Sequence, residues 1–167
     1  MKTTRLVAAD SSPLIGMATA GVFQLLRNLY GTLMITRIVK DEVAGRPNRP
    51  GAPELEAAMR AGWIRVAPAP PATWELTDLD AGEASTIALA LERPGALVLM
   101  DDQLGRARAE ELALEVLDTA GLLVAAQQAG LVSDTAPLVK RLLKRGFTLP
   151  DAARRTLDGT AQDAPAV

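Results

Sequence analysis

Apolar positions along this chain fall into two patterns: short runs that suit buried strands, and longer stretches spaced three and four apart that suit helices. Arg5 to Ala9 is a short β-leaning apolar run ending at Asp10, followed by Ser11-Ser12-Pro13 and an apolar-rich segment to about Leu29. That predicts strand, tight turn and helix. Ser12 suits the N-cap and Pro13 the first helical position, where its missing N–H costs nothing. Thr32 to Thr36 predicts a second strand, and Ile38 to Val43 a short helix that carries Glu42 and breaks at Gly45 and the prolines beyond it. Glu54 to Ala61 predicts a helix stopped by Gly62, then a short strand over Trp63 to Val66 and a loop over Pro68 to Pro71.

From Asp80 the run D-A-G-E-A-S-T-I-A-L-A-L-E sets Ile87 and Leu91 four apart with small residues between them, a helix start with a close-packing face. Ala96 to Met100 reads as a buried strand ending in Asp101-Asp102. A helix from about Leu104, a strand at Val116-Leu117, and helices over Ala120 to Ala129 and Thr135 to Arg145 follow. The small, polar, aperiodic residues after about Gly159 predict a disordered tail over 159–167, leaving 1–158 as one domain. Strands alternating with helices imply an α/β fold with a parallel sheet covered on both faces. In such sheets ligands sit at the carboxyl ends of the strands, where Asp10 and Asp101-Asp102 fall. Glu83 begins a crossover helix that must pack alongside.

Composition narrows the chemistry. The 167 residues, 49% hydrophobic but only 3% aromatic, suit one domain with an aliphatic core. Cysteine and histidine are both 0, which excludes disulfides, thiolate-held zinc, Ser-His-Asp triads and histidine acid–base catalysis. Carboxylates, Lys, Ser/Thr, Tyr or a metal held by oxygen remain. The net charge of -2 gives no general attraction for nucleic acid, so such binding needs local basic patches or bound cations. With no apolar run long enough to span a bilayer and no leader pattern, a cytoplasmic protein with no membrane partner is expected.

Each acid alone has an ordinary explanation. Asp10 suits a turn or cap, Asp80 and Glu83 satisfy the D-x-x-E form of a capping box, and Glu42 suits a solvated helix face. Asp101 and Asp102 are harder to dismiss, because adjacent carboxylates at the end of a buried strand repel unless a helix N-terminus or a cation compensates. Carboxylates gathered without His or Cys match Mg²⁺ or Mn²⁺, hard ions that bind oxygen. The chemistry that needs such a cluster is phosphodiester cleavage.

These residues resemble the PIN domain superfamily, and most closely a VapC-like prokaryotic branch of it. The opening A-A-D-S-S-P-L-I at Ala8 to Ile15 is similar to that branch's start, I-T-R-I-V-K-D-E-V at Ile35 to Val43 to its post-strand helix, and L-D-A-G-E-A-S-T-I-A-L-A at Leu79 to Ala90 to its most specific segment. L-V-L-M-D-D-Q-L-G-R-A-R-A at Leu97 to Ala109 resembles its strand-acid-acid-x-x-G-R pattern. The resemblance implies a three-layer α/β/α PIN-like fold with a central, mainly parallel sheet. It implies a Mg²⁺- or Mn²⁺-dependent endoribonuclease acting on single-stranded or structured RNA, commonly a homodimer and the toxin of a toxin-antitoxin pair, with a cognate antitoxin protein as partner.

Asp10, Glu42, Glu83, Asp101 and Asp102 carry over as catalytic acids, with Asp10, Glu83 and either Asp101 or Asp102 at the metal and Ser12 as a supporting hydroxyl. Many PIN nucleases have Asp where this chain has Glu83, whose longer side chain would shift a metal or weaken it. Arg37, Arg46 and Arg49 near the Glu42 helix, and Arg106 and Arg108 after the Asp pair, suit either phosphate contacts or an ordinary surface. Lys140, Arg141, Lys144 and Arg145 suit a solvated face. A haloacid-dehalogenase-type phosphatase would need an Asp where Ser12 stands. The competing expectation is a PIN-fold protein without turnover that binds RNA or a protein partner.

Overall fold

A computed structural model describes residues 5–162. Five strands, β1 (Val7–Ala9), β2 (Leu33–Thr36), β3 (Ile64–Ala67), β4 (Leu97–Leu99) and β5 (Glu115–Leu117), pair in parallel in the order β3-β2-β1-β4-β5. Between and after them run α1 (Ser11–Thr19), α2 (Leu25–Tyr30), α3 (Arg37–Ala44), α4 (Ala52–Arg60), α5 (Ala81–Leu91), α6 (Gln103–Glu111), α7 (Thr119–Gln128), α8 (Ala136–Lys144) and α9 (Asp151–Gln162), with a single 3-10 turn at Trp74–Leu76.

Alternation along the strands divides the core in two, because successive side chains point to opposite faces. Val7, Ala9, Leu33, Ile35, Leu97 and Leu99 pack beneath α1 to α4 and α7 to α9. Ala8, Val98 and Met100 pack on the other side against α5 and Ala109 of α6. This is the expected three-layer α/β/α arrangement. No helix among the described residues is long and apolar enough to cross a membrane.

The order places a topological switch point between β1 and β4. The chain moves from β1 outward through β2 to β3 with helices on one face, then returns through α5 to β4 on the opposite side of β1. The crevice at the carboxyl ends of such a strand pair is where α/β sheets place ligands. Ala9 lies in register with Leu99 there, and the Asp10 N–H donates to Leu99 O at 2.9 Å, one step beyond the ladder.

The first helix departs from expectation at both ends. It starts at Ser11 with Asp10 as N-cap, so Ser12 is not the cap, and Pro13 stands at the third position, still among the N–H groups that lack a helical acceptor. It also ends at Thr19, where one helix to Leu29 was expected. Gly21 takes φ 76°, its N–H donates to Ala18 O at 2.9 Å and the Val22 N–H to Met17 O at 3.0 Å. That paired closure is a Schellman stop, which needs a residue at ease with positive φ. The final helix, α9, was not expected at all. It continues through Gln162, so residues 159–162 are helical, and the rest of the expected tail, 163–167, lies outside the described residues.

Candidate active site

Asp10 leaves β1 with extended backbone and caps α1 without a side-chain hydrogen bond to that helix. The residue is 4% exposed, and its Oδ1 is buried with no hydrogen-bond partner. An unpaired buried carboxylate oxygen is costly. Burial, opposed in part by the Ser11 amide and reinforced by the charges of Asp80, Glu42 and Glu83, pushes Asp10 up to about 7.

Glu83 reaches the same space from α5. It completes a capping box, donating its N–H to Asp80 Oδ1 at 2.8 Å and accepting the Asp80 N–H at Oε2 at 3.2 Å. The ordinary explanation of this pair and the functional one therefore both hold. Burial, then the adjacent Asp80 charge and, more weakly, Asp102, raise Glu83 to about 7.

Glu42 comes from α3 and stays exposed, but its carboxylate lies over Gly82 of α5. A Cβ at residue 82 would sit 2.6 Å from Glu42 Oε1, so only glycine leaves that space. Partial desolvation raises Glu42, while a hydrogen bond from the Ser11 side chain opposes the shift. Beneath the acids, Thr36 at the end of β2 and Ser85 of α5 share a buried 2.8 Å hydrogen bond. Ser85 and Thr86 donate to Gly82 O at 3.0 and 2.8 Å. These bonds fix the α5 start relative to the sheet, and with it the surface on which Glu42 rests.

Asp101 and Asp102 part company as they leave β4. Asp102 caps α6 through Gly105 N–H at 2.9 Å, and its charge acts on Glu83. A Cβ at Gly105 would stand 3.6 Å from Glu83 Cδ, so the α6 start packs directly against that acid. Asp101 turns to α7. Its Oδ1 accepts from Thr119 N at 2.7 Å and its Oδ2 from Thr119 Oγ1 at 2.8 Å. Burial raises its pKa, Thr119 opposes that, and the neighbouring charges are Asp118 and Arg106.

Among the other expected site residues, Arg37 is exposed at the start of α3. Arg106 is tied to Asp118 at 2.8 Å and Arg108 to Asp78 at 2.8 Å, which draws both into ion pairs. The hydroxyl bonded to Glu42 is that of Ser11, where Ser12 was expected to give support. Asp80 was read only as a cap, yet its charge bears on Asp10, Glu42 and Glu83. The D-x-x-E spacing was the available signal for it.

Asp10, Glu42, Glu83, Asp80 and Asp102 thus form one acidic edge, toward which the N-termini of α1, α5 and α6 direct their partial positive charge. Among the described residues no three acidic side chains stand close enough to ligate one ion between them. The donor set nonetheless fits a hard divalent cation. All of its donors are oxygen, one buried oxygen lacks a partner, and Mg²⁺ commonly takes only one or two carboxylates and keeps several waters.

No curated protein matches the chain significantly. A family model described as PIN domain matches residues 6–158, from the start of β1 into α9. The match covers the sheet, both helical layers and every acid of this edge, and the chain belongs to the PIN domain family.

Proposed function

We propose that this chain is a divalent-metal-dependent endoribonuclease that hydrolyses phosphodiester bonds of RNA with Mg²⁺ or Mn²⁺. Membership of a family whose fold is of the nuclease type favours the class of reaction. The observation that carries the site is Asp10: buried, lacking a partner on Oδ1, and faced by Glu83 and Glu42 at the switch point of the sheet. In this reading Asp10, Glu83 and Asp102 hold the ion, directly or through water. Asp102 is preferred to Asp101 because both Asp101 oxygens are taken up by Thr119.

When bound there, the ion would supply a water of lowered pKa and positive charge for the attacked phosphate. Glu42, exposed beside Ser11 and with its pKa raised by partial burial, is placed to take the proton released by the attacking water. The capping bonds of Asp80 and Asp102 hold the α5 and α6 starts, and so Glu83, in place. Within the same proposal the protein belongs to the VapC-like branch, works in the cytoplasm as a homodimer, and is the toxin restrained by a cognate antitoxin. The resemblance of the motifs around Asp10 and Glu83 supports that part.

Cleavage of a mixed-sequence single-stranded RNA with Mn²⁺, Mg²⁺ or EDTA, comparing the unmodified protein with Asp10→Asn and Glu83→Gln, tests the reading. Metal-dependent cutting lost in both variants is the expected result. Absence of cutting, together with absence of Mn²⁺ binding by calorimetry, would overturn it in favour of a PIN-fold binding protein without turnover.

A further inference from the structure

Beside the acidic edge the chain builds a basic cavity. A space of about 300 Å³ opens between α1 and the end of α3, lined by Ile15, Thr19, Val43, Arg46, Arg49 and Arg145. The three arginines are exposed, and among the described residues none forms an ion pair. Arg27, Arg37, Arg65 and others are also unpaired, but these three come from two separated segments and converge on one cavity.

The local chain explains the convergence. After Gly45 ends α3, the Arg49 N–H donates to Arg46 O at 3.0 Å, a turn that sets both side chains on the same side of the loop. Gly51, at φ 109°, presses that loop onto the α1–α3 seam: a Cβ there would lie 3.3 Å from Val43 Cγ1 and 3.4 Å from Ile15 Cγ1. Arg145 arrives from the far end of the sequence, at the C-cap of α8. Its approach is the feature that spacing alone does not reveal.

Arg46 links this cavity to the acids, because its charge lowers the pKa of Glu42, one helical turn earlier in the chain. We propose that Arg46, Arg49 and Arg145 form a phosphate-binding subsite that holds a non-scissile phosphate of the RNA strand next to the acidic edge. The occupant rests on the ribonuclease reading above. A chain of net charge -2 whose acids crowd the sheet edge needs a local cluster of cations to retain a polyanion, and guanidinium forks suit phosphate oxygens. The walls of Ile15, Val43 and Thr19 leave room for the attached sugar. An acidic protein segment has no comparable reason to run onward across Glu42 and Asp10, whereas a strand awaiting cleavage must.

Fluorescence anisotropy with a labelled single-stranded RNA in Mg²⁺ tests this, on an Asp10→Asn parent so that binding is read without cutting. Arg46→Gln, Arg49→Gln and Arg145→Gln are each expected to weaken binding about fivefold at roughly 0.1 M salt. Each should also lower the slope of log K against log salt by about 0.7, the value for one phosphate contact on a single strand. The corresponding Lys variants should keep the slope, and melting curves should overlay the parent. If Arg145→Gln fails to fold, the Arg46→Gln/Arg49→Gln pair carries the test.

Unchanged affinity and slope in the arginine variants would overturn the subsite even if the unmodified protein cuts RNA. Arginine-dependent RNA binding by a protein that never cuts would uphold the subsite and remove the ribonuclease reading. Arginine-dependent capture of a poly-glutamate peptide, with RNA ignored, would overturn the proposal in favour of a protein partner.

Discussion

Two acid clusters lie on the same edge of the sheet, and they are solved in opposite ways. Around Asp101 every negative charge meets a donor: Thr119 serves both Asp101 oxygens, Gly121 N–H and Arg106 serve Asp118, and α7 starts where they meet. Around Asp10 the carboxylates of Asp80, Glu42 and Glu83 act on one another, and Asp10 Oδ1 is buried without a partner. The clusters are separated in sequence by a single residue boundary, between Asp101 and Asp102. Stability explains the first arrangement and works against the second, and perturbed acids of that kind cluster at functional sites, which is why the proposed ion is placed there.

The widest separation between the two should appear in activity. Asp10→Asn is expected to lower metal-dependent RNA cleavage by about 100-fold or more, the scale for losing a residue that holds a catalytic ion. Asp101→Asn, assayed well below its melting temperature, should lose less than about tenfold. Equal losses in single-turnover rates would erase the distinction and return Asp101 to the metal.

Stability should move the other way, and with a definite pH dependence. Asp10 titrates near 7 when folded against 3.8 as a free side chain, so between those values the native state keeps a proton that the unfolded chain has released. Unfolding free energy therefore falls as pH rises through that window, and the cost is in full force above about pH 7 and absent below about pH 4. Asp10→Asn removes it. Urea unfolding should show the variant more stable by on the order of 3 kcal/mol at pH 8, with the gap closing toward pH 4. A constant gap would mean that the charge of Asp10 is already compensated.

How much of this was legible beforehand follows from what kind of signal each feature leaves. β1 and β4 are uninterrupted apolar runs closed by acids, so the sheet and the placing of Asp10 at its carboxyl edge could be read directly. The stop at Gly21 was hidden because apolar residues continue on both sides of it, and α9 because its core contacts, Ala153 and Leu157, are sparse among Asp, Arg and Thr. The place of Glu83 beside Asp10 on the acidic edge was legible from its motif. The parting of Asp101 from Asp102 was not, since it depends on Thr119, 18 residues later, arriving to bind one of them. The small residues at 82 and 105 looked like helix packing alone, whereas Gly82 also makes room for the carboxylate of Glu42 and Gly105 for the Met100 side chain.

The satisfied cluster invites a more modest test of the same contrast. Asp101→Ala leaves the buried Thr119 N–H and hydroxyl without acceptors, which should cost about 2 kcal/mol in urea unfolding at pH 7. Arg106→Gln should cost about 1 kcal/mol, because the Asp118 pair is only partly shielded. Both effects are destabilising, opposite in sign to Asp10→Asn at that pH. If Asp101→Ala proved neutral, Thr119 would have to find another acceptor, and the structural assignment of Asp101 would lose its basis.

The smallest expected effect probes Glu42 without altering any acid. Gly82 has ordinary helical backbone, so alanine there is not strained by its φ, and the atoms it would meet at 2.6 and 2.7 Å are the far end of an exposed, flexible side chain. Glu42 can swing outward at little cost, while replacing a helical glycine stabilises by roughly 0.5–1 kcal/mol. Gly82→Ala should therefore melt at or slightly above the parent temperature yet cleave RNA about three- to tenfold more slowly, because the displaced carboxylate no longer lies beside Ser11 and Asp10. Since every ligand proposed for the ion is untouched, Mn²⁺ affinity measured by calorimetry should stay within about twofold. A variant that cuts at the parental rate would show that Glu42 contributes charge to the edge but not a positioned proton acceptor.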